Sequence, residues 1–222
     1  MTKKLKWEEK MNNTLWEEIS NMFSNCSREI RVNRSEAING EYTLDKLQIT
    51  PKSALGSVLL HTSGIIVENW IRVLGSDSKK NRGILSYNRV NEVGVATKID
   101  KMLIVADDVV GGIFALNTGR LSNGVGDIWY FAPDTLEWES LEMKYSEFIA
   151  WVVNGNIDEF YSNMRWNAWE KDVKDVEFDD AILIYPFLWA NEIQLENAEK
   201  KVVLAEELFN LNQEYSEKFN LS

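Results

Sequence analysis

Between residues 101 and 141 the chain passes through four short segments with the grammar of β-strands: 101–106 (KMLIVA), 112–117 (GIFALN), 127–132 (DIWYFA) and 136–141 (LEWESL). Turn-forming residues separate them: Asp107, Asp108 and Gly111-Gly112, then Asn117-Thr118-Gly119, then Pro133-Asp134-Thr135. A parallel neighbour needs a crossover of about a dozen residues or more, which connections this short do not provide. The spacing therefore predicts an antiparallel meander. Upstream, β-branched clusters cut by Gly56, Gly64 and Gly75 predict three more strands near 57–61, 65–67 and 70–74.

Helical periodicity brackets this strand-rich stretch. Trp7, Met11, Leu15, Ile19, Met22 and Phe23 recur every three or four residues, so residues 5–23 read as an amphipathic helix. Residues 29–37 show no clear period, and 42–49 fits either a short strand or a helical turn before Pro51. After Lys144, the residues Tyr145, Phe148, Ile149 and Val152 share one helical face, with Ser146 as a candidate cap and Asn154-Gly155 as a stop. A short helix over 157–164, a turn holding Trp166 and Trp169, and an exposed acidic connector at 172–180 follow. A buried strand ends at Pro186, and 196–215 reads as a final amphipathic helix with Val203, Leu204, Leu208 and Leu211 inward.

The expected class is α+β: a mixed, largely antiparallel sheet of short strands flanked by N-terminal and C-terminal helices. No Pro/Ser/Gly-rich linker divides the 222 residues, so one domain is expected. Its parts are an N-terminal helix (1–24), a strand-rich core (44–141) and a helical region (144–222) with one strand near 181–185.

Charge narrows the partners. With 24 Lys+Arg against 35 Asp+Glu the formal charge is −11, which repels nucleic-acid phosphates and anionic lipid headgroups and steers basic proteins instead. The first residues lack the apolar core of a secretory signal, no apolar run approaches the roughly 20 residues of a membrane span, and Cys26 is the single cysteine, so a cytoplasmic location is expected.

No complete catalytic, metal or nucleotide motif is present. His61 is the lone histidine and reads as structural, while Cys26 has no C-x-x-C partner. Gly111-Gly112 and Gly124-Val125-Gly126 lie between strands and lack the residues of a phosphate loop. Carboxylates are the more serious chemistry: Asp107, Asp108, Asp127, Asp134 and Glu137, with Trp138 beside them, are the candidate interaction residues. Such a cluster can hold a divalent cation or share a proton, but the spacing matches no Ca²⁺ loop, and turn capping is the competing role of the aspartates. No cofactor is expected.

Several of these stretches, ADDVVGGIFALN (106–117), DIWYFAPDTLEWESLEMKYSEFIAWVVNGN (127–156), FYSNMRWNAWEKDV (160–173), YPFLW (185–189) and LQITPKSALGSVLLHTSGIIVENWIRVLGS (47–76), together resemble a bacterial family of uncharacterised proteins, a domain of unknown function. A further likeness, in the order of strand, acidic turn, glycine and aromatic strand followed by a helix such as YSEFIAWVV, is to the SUKH superfamily of cell-wall-synthesis regulators and toxin-immunity proteins. That likeness implies a surface for binding other proteins and no catalytic residues. The chain departs from the superfamily in lacking a proline-rich entry after the first helix and in its extension beyond Phe178.

Three functional readings follow. The first is a non-catalytic protein-binding module of immunity or regulatory type, with a basic partner such as a toxin domain. The second is a hydrolase with a carboxylate-bound divalent metal, which requires Asp107, Asp108 and a further carboxylate to converge. The third is a small-ligand binder with a pocket lined by Trp129, Trp138 or Trp166.

Overall fold

A computed structural model describes residues 15–191 and 193–219. Seven strands follow one another in space as they do in sequence: β1 (Ile30–Arg34), β2 (Thr62–Val67), β3 (Ile71–Leu74), β4 (Met102–Asp108), β5 (Ile113–Asn117), β6 (Ile128–Phe131) and β7 (Trp138–Met143). Every neighbouring pair is antiparallel. The α+β class and the meander expected between 101 and 141 are what the chain forms.

The connections show why. Glu68 and Asn69, both at positive φ, make the two-residue turn from β2 to β3, closed by the Trp70 N–H on the Val67 carbonyl at 2.9 Å. Asp108 closes the next hairpin with its own side chain, accepting from the Val110 and Gly112 N–H groups at 3.0 and 2.8 Å. Strands β2, β3 and β4 are buried along their whole length, so both faces of the sheet are covered.

On one face lie α1 (residues 15–25), α3 (Ala54–His61), α5 (Tyr145–Asn154) and α6 (Ile157–Phe160), while α2 (Ala37–Leu47) packs on α3 and reaches round to the loop after residue 87, where Lys46 donates to the Glu92 carbonyl at 2.7 Å. Phe148 and Trp151 of α5 meet Phe114 of β5, with ring centroids 5.0 and 6.1 Å apart. On the other lie α4 (Ile84–Tyr87), the hairpin of β8 (Asp180–Tyr185) and β9 (Glu199–Leu204), and α8 (Ala205–Phe219). The short helix α7 (Trp169–Asp172) precedes that hairpin, and its Trp169 ring meets Trp70 at 5.2 Å.

Several expectations are corrected. Residues 57–61 are the end of helix α3, because Ser53 caps it by accepting from the Gly56 N–H at 3.0 Å. The open stretch 42–49 is mostly the end of α2, and β1 occupies part of 29–37, where no period was evident. Glu147, not Ser146, caps α5, accepting from the Lys144 N–H at 2.7 Å. The helix expected at 157–164 is a single turn. The C-terminal region holds two strands, since 199–204 pairs with β8 before α8 begins, and Leu204 is half exposed instead of inward.

The acidic connector is only partly exposed: Val173, Val176 and Phe178 are buried while Lys174, Asp175 and Glu177 face outward. The tip of the Phe178 ring approaches Gly64 at φ +149°, where a Cβ would come within 2.6 Å of it. Of the helix expected at 5–23, residues 15–25 are helical with Ile19 in the core, and Trp7 and Met11 lie outside the described residues. Among the described residues no helix is long and apolar enough to cross a membrane.

Candidate functional site

Adjacent residues on a strand point to opposite faces, and that alternation separates the two leading carboxylates. Asp107 and Asp108, each 2 % exposed, are interior groups on opposite sides of the sheet. Asp107 pairs with the Arg82 guanidinium and lies across the β3–β4 ladder from Arg72, itself 1 % exposed. Burial lowers Arg72 to about 10 while Asp107 pulls it back up. Arg82 also donates to the Phe178 carbonyl at 2.6 Å and stacks 4.6 Å over Tyr87. Beyond it, the Lys98 ammonium sits 3.4 and 4.2 Å over the Tyr87 and Phe209 rings and pairs with Glu206. Burial brings Lys98 down to about 8, against Glu206, which favours its charge.

On the opposite face Asp108 receives the hydroxyls of Tyr130 at 2.8 Å and Tyr161 at 3.1 Å in addition to its two turn amides. Burial raises the Asp108 carboxyl above its ordinary value while these donors hold it down. Four donors on one carboxylate make a rivet between the β4–β5 turn, β6 and the end of α6.

The remaining candidates lie elsewhere. Asp127 pairs with Lys144, Asp134 and Glu137 flank the β6–β7 turn, and Trp138 rests half-buried on Phe131 at 5.4 Å. Among the described residues no three His, Cys, Asp or Glu side chains converge as a metal set, so the arrangement that the metal-hydrolase reading required is not formed. His61 stacks on Trp16 at 5.0 Å, and Cys26 donates to the Phe23 carbonyl at 3.1 Å. Trp166 is buried, with its indole N–H on Asp172 at 2.7 Å. Trp129 and Trp138 line neither of the two wide cavities of the fold.

Those two cavities share one border. Among the described residues β1 pairs only with β2, which leaves its other side open. The Glu68 N–H reaches the Glu29 carbonyl at 2.8 Å, so by the alternation of an antiparallel ladder the N–H and C=O of Ile30 and Val32 point away from the sheet. A groove of about 990 Å³ lies against Arg31, Asn33 and Arg34, walled by residues 77–81 and by 174–178 of the connector. A second, of about 800 Å³, lies against Ile30, Val32 and Arg34, walled by Trp16 and Phe23 of α1 and by Leu60 and His61 of α3. Thus Arg31 and Asn33 face one concavity and Ile30 and Val32 the other, while Arg34, past the register shift that follows Asn33, borders both.

The sequence carried a faint signal for this strand, the alternation of Ile30 and Val32 with Arg31 and Asn33. It was too short to stand out between two unpatterned flanks. Nothing local marked the grooves, whose walls come from segments up to about 140 residues away in sequence.

The chain is similar in sequence to proteins of unknown activity. Residues 7–208 match the family described as "Protein of unknown function DUF2625". The chain belongs to this family. It is 33% identical over 210 residues to an "Uncharacterized protein" of Haemophilus influenzae, covering 93% of this chain and 92% of the relative. It is 40% identical over 183 residues to the "Putative uncharacterized protein YbfG" of Escherichia coli K12, covering 81% of each. The DUF2625 match spans β1, both groove walls and the start of α8.

Proposed function

We propose that the chain is a protein-binding module that takes an extended segment of its partner as an added strand beside β1. The carrying observation is the placement of the two wide grooves on the two faces of one open edge strand. Backbone hydrogen bonds to Ile30 and Val32 supply affinity in such an arrangement, and the grooves receive alternate side chains of the incoming strand and supply selectivity. The likeness of the sequence's segment order to the SUKH superfamily supports a role of immunity or regulatory type, in which binding itself is the activity.

The test compares two proline substitutions in the full chain, tagged and purified from its native cells. In Val32→Pro the lost N–H points outward, so the β1–β2 ladder keeps its bonds. In Ser140→Pro the same lesion is placed on β7. The proposal expects a stoichiometric partner with the wild type and Ser140→Pro that is lost with Val32→Pro, at unchanged far-UV circular dichroism. Co-purification of the same chains with all three forms contradicts it.

A second reading assigns the basic partner suggested by the net charge to β7. Burial, with the neighbouring charges of Asp134 and Glu137, raises the Glu139 carboxyl above its ordinary value, so an approaching cation relieves crowded negative charge there. In that case Ser140→Pro, not Val32→Pro, loses the partner.

A further inference from the structure

The chemistry of the two grooves specifies the segment that β1 accepts, an inference that rests on the strand-addition reading above. The groove on the odd-numbered side of β1 is bordered by five cations, Arg31, Arg34, Lys79, Lys80 and Lys174, and by four carboxylates, Glu36, Asp77, Asp175 and Glu177. One of those carboxylates is committed. Asp77 accepts from the Gly83, Leu85 and Ser86 N–H groups at 3.3, 3.0 and 3.1 Å, holding the start of α4. Among the described residues none of the five cations is in an ion pair within 4.0 Å. Cations therefore outnumber carboxylates around this groove by one, a local surplus of positive charge in a chain whose formal charge is −11.

The other groove is built differently. Trp16, Phe23, Ile30, Val32 and Leu60 give it apolar patches, with Arg34 and Glu41 as its charged pair of lining residues, and the His61 ring stacks on Trp16, lowered below 6.5 by burial and so neutral at pH 7. Alternate side chains of an added strand point to opposite faces, so one set enters the cationic groove and the other the apolar one. We infer that the occupant of the β1 edge is an extended protein segment in which acidic and apolar residues alternate. The acidic set lies over Arg31, Arg34 and Lys174, and the apolar set lies between Val32 and Trp16.

The experiment titrates the full chain with three fluorescent peptides of about eight residues, the length of an ordinary strand. They alternate Val with Glu, Ser or Lys, and binding is followed by anisotropy at low and high salt. The Glu-Val peptide binds about tenfold more tightly than the Lys-Val peptide, as expected for a few partly exposed charge pairs, and loses that advantage at high salt. The double variant Arg34→Glu/Lys174→Glu reverses the order, and Val32→Pro abolishes binding of all three.

Equal affinity for the three peptides, with binding still lost in Val32→Pro, overturns the charge assignment and leaves strand addition standing. Binding of the Glu-Val peptide that survives Val32→Pro overturns both. Preference for the Lys-Val peptide overturns the inference, and its sensitivity to Ser140→Pro instead of Val32→Pro assigns that binding to β7. No binding of the Glu-Val peptide, at concentrations where the wild type retains its cellular partner, also overturns the inference while the strand-addition reading stands.

Discussion

The sheet has two edges, and they are built on opposite principles. β7 presents exposed Glu137, Glu139, Ser140 and Glu142 at its rim, and its ladder to β6 slips between Ile128 and Trp129. Charged residues and a bulge at an edge discourage another strand from pairing, because the carboxylates must be desolvated as it arrives. β1 alternates apolar and polar residues, carries arginines instead of carboxylates, keeps its ladder in register from Ile30 to Asn33 with its own shift only at the last residue, Arg34, and has a concavity on each face. One edge is closed by charge and the other is shaped to be filled.

The two edges hang on a common interior, and the largest expected effect comes from breaking it. Asp107→Ala leaves the buried Arg72 guanidinium without its facing carboxylate and Arg82 with Asp179 alone, and costs about 3–5 kcal/mol. In urea unfolding the loss appears as a lower midpoint, with amide exchange quickened at β1 and β7 alike.

Phe178→Ala sharpens the comparison because its ring packs against Gly64 of β2, the neighbour of β1, and under the Arg82 guanidinium, far from β7. Emptying that site costs about 3–5 kcal/mol globally. Native-state exchange is expected to show loosening at β1, β2 and the 174–178 wall, and little change at β7.

Trp16→Ala removes a stacked partner of His61 and costs about 1–2 kcal/mol. Less burial lets the imidazole, the single histidine of the chain, return toward 6.5, which proton NMR reads directly. In the wild type the folded pKa is lowered, so the folded state binds this proton less well than the unfolded one. Stability is therefore lost as the pH falls through 6.5 toward the folded value, and Trp16→Ala shrinks that loss.

Glu139→Gln gives the smallest effect and the opposite sign. The folded carboxyl is raised above 4.5, so between 4.5 and the raised value the unfolded state has already released its proton while the folded state retains it. Wild-type stability falls as the pH rises through that window. In Glu139→Gln this component is absent, and the difference between the two proteins grows with pH in thermal melts from pH 4 to 7.

The meander was legible because its turns are chemically explicit, as with Asp108, whose carboxylate caps the turn that its position suggested. Two strand-helix assignments failed where local pattern was ambiguous. Val58-Leu59-Leu60 has strand-like residues, yet Ser53 starts a helix whose Gly56 sits against the Thr50 carbonyl. Val202-Val203-Leu204 extends the helical period of α8, and only pairing with β8 makes it a strand. The partners of the candidate aspartates were illegible for a related reason. Arg82 meets Asp107 from 25 residues away and Tyr161 meets Asp108 from 53 away, and no local pattern encodes either contact. Both carboxylates became interior fasteners, and the open edge fell on a strand whose side chains carry no marked chemistry.

The most direct test of strand addition at β1 is photo-crosslinking in living cells, with a benzophenone amino acid placed at position 32 or position 140 of the full chain. The account predicts an adduct from position 32 to a contiguous, extended segment of another protein, and none to that segment from position 140. Adducts that arise from position 140 alone, or the absence of any adduct from position 32, contradict it.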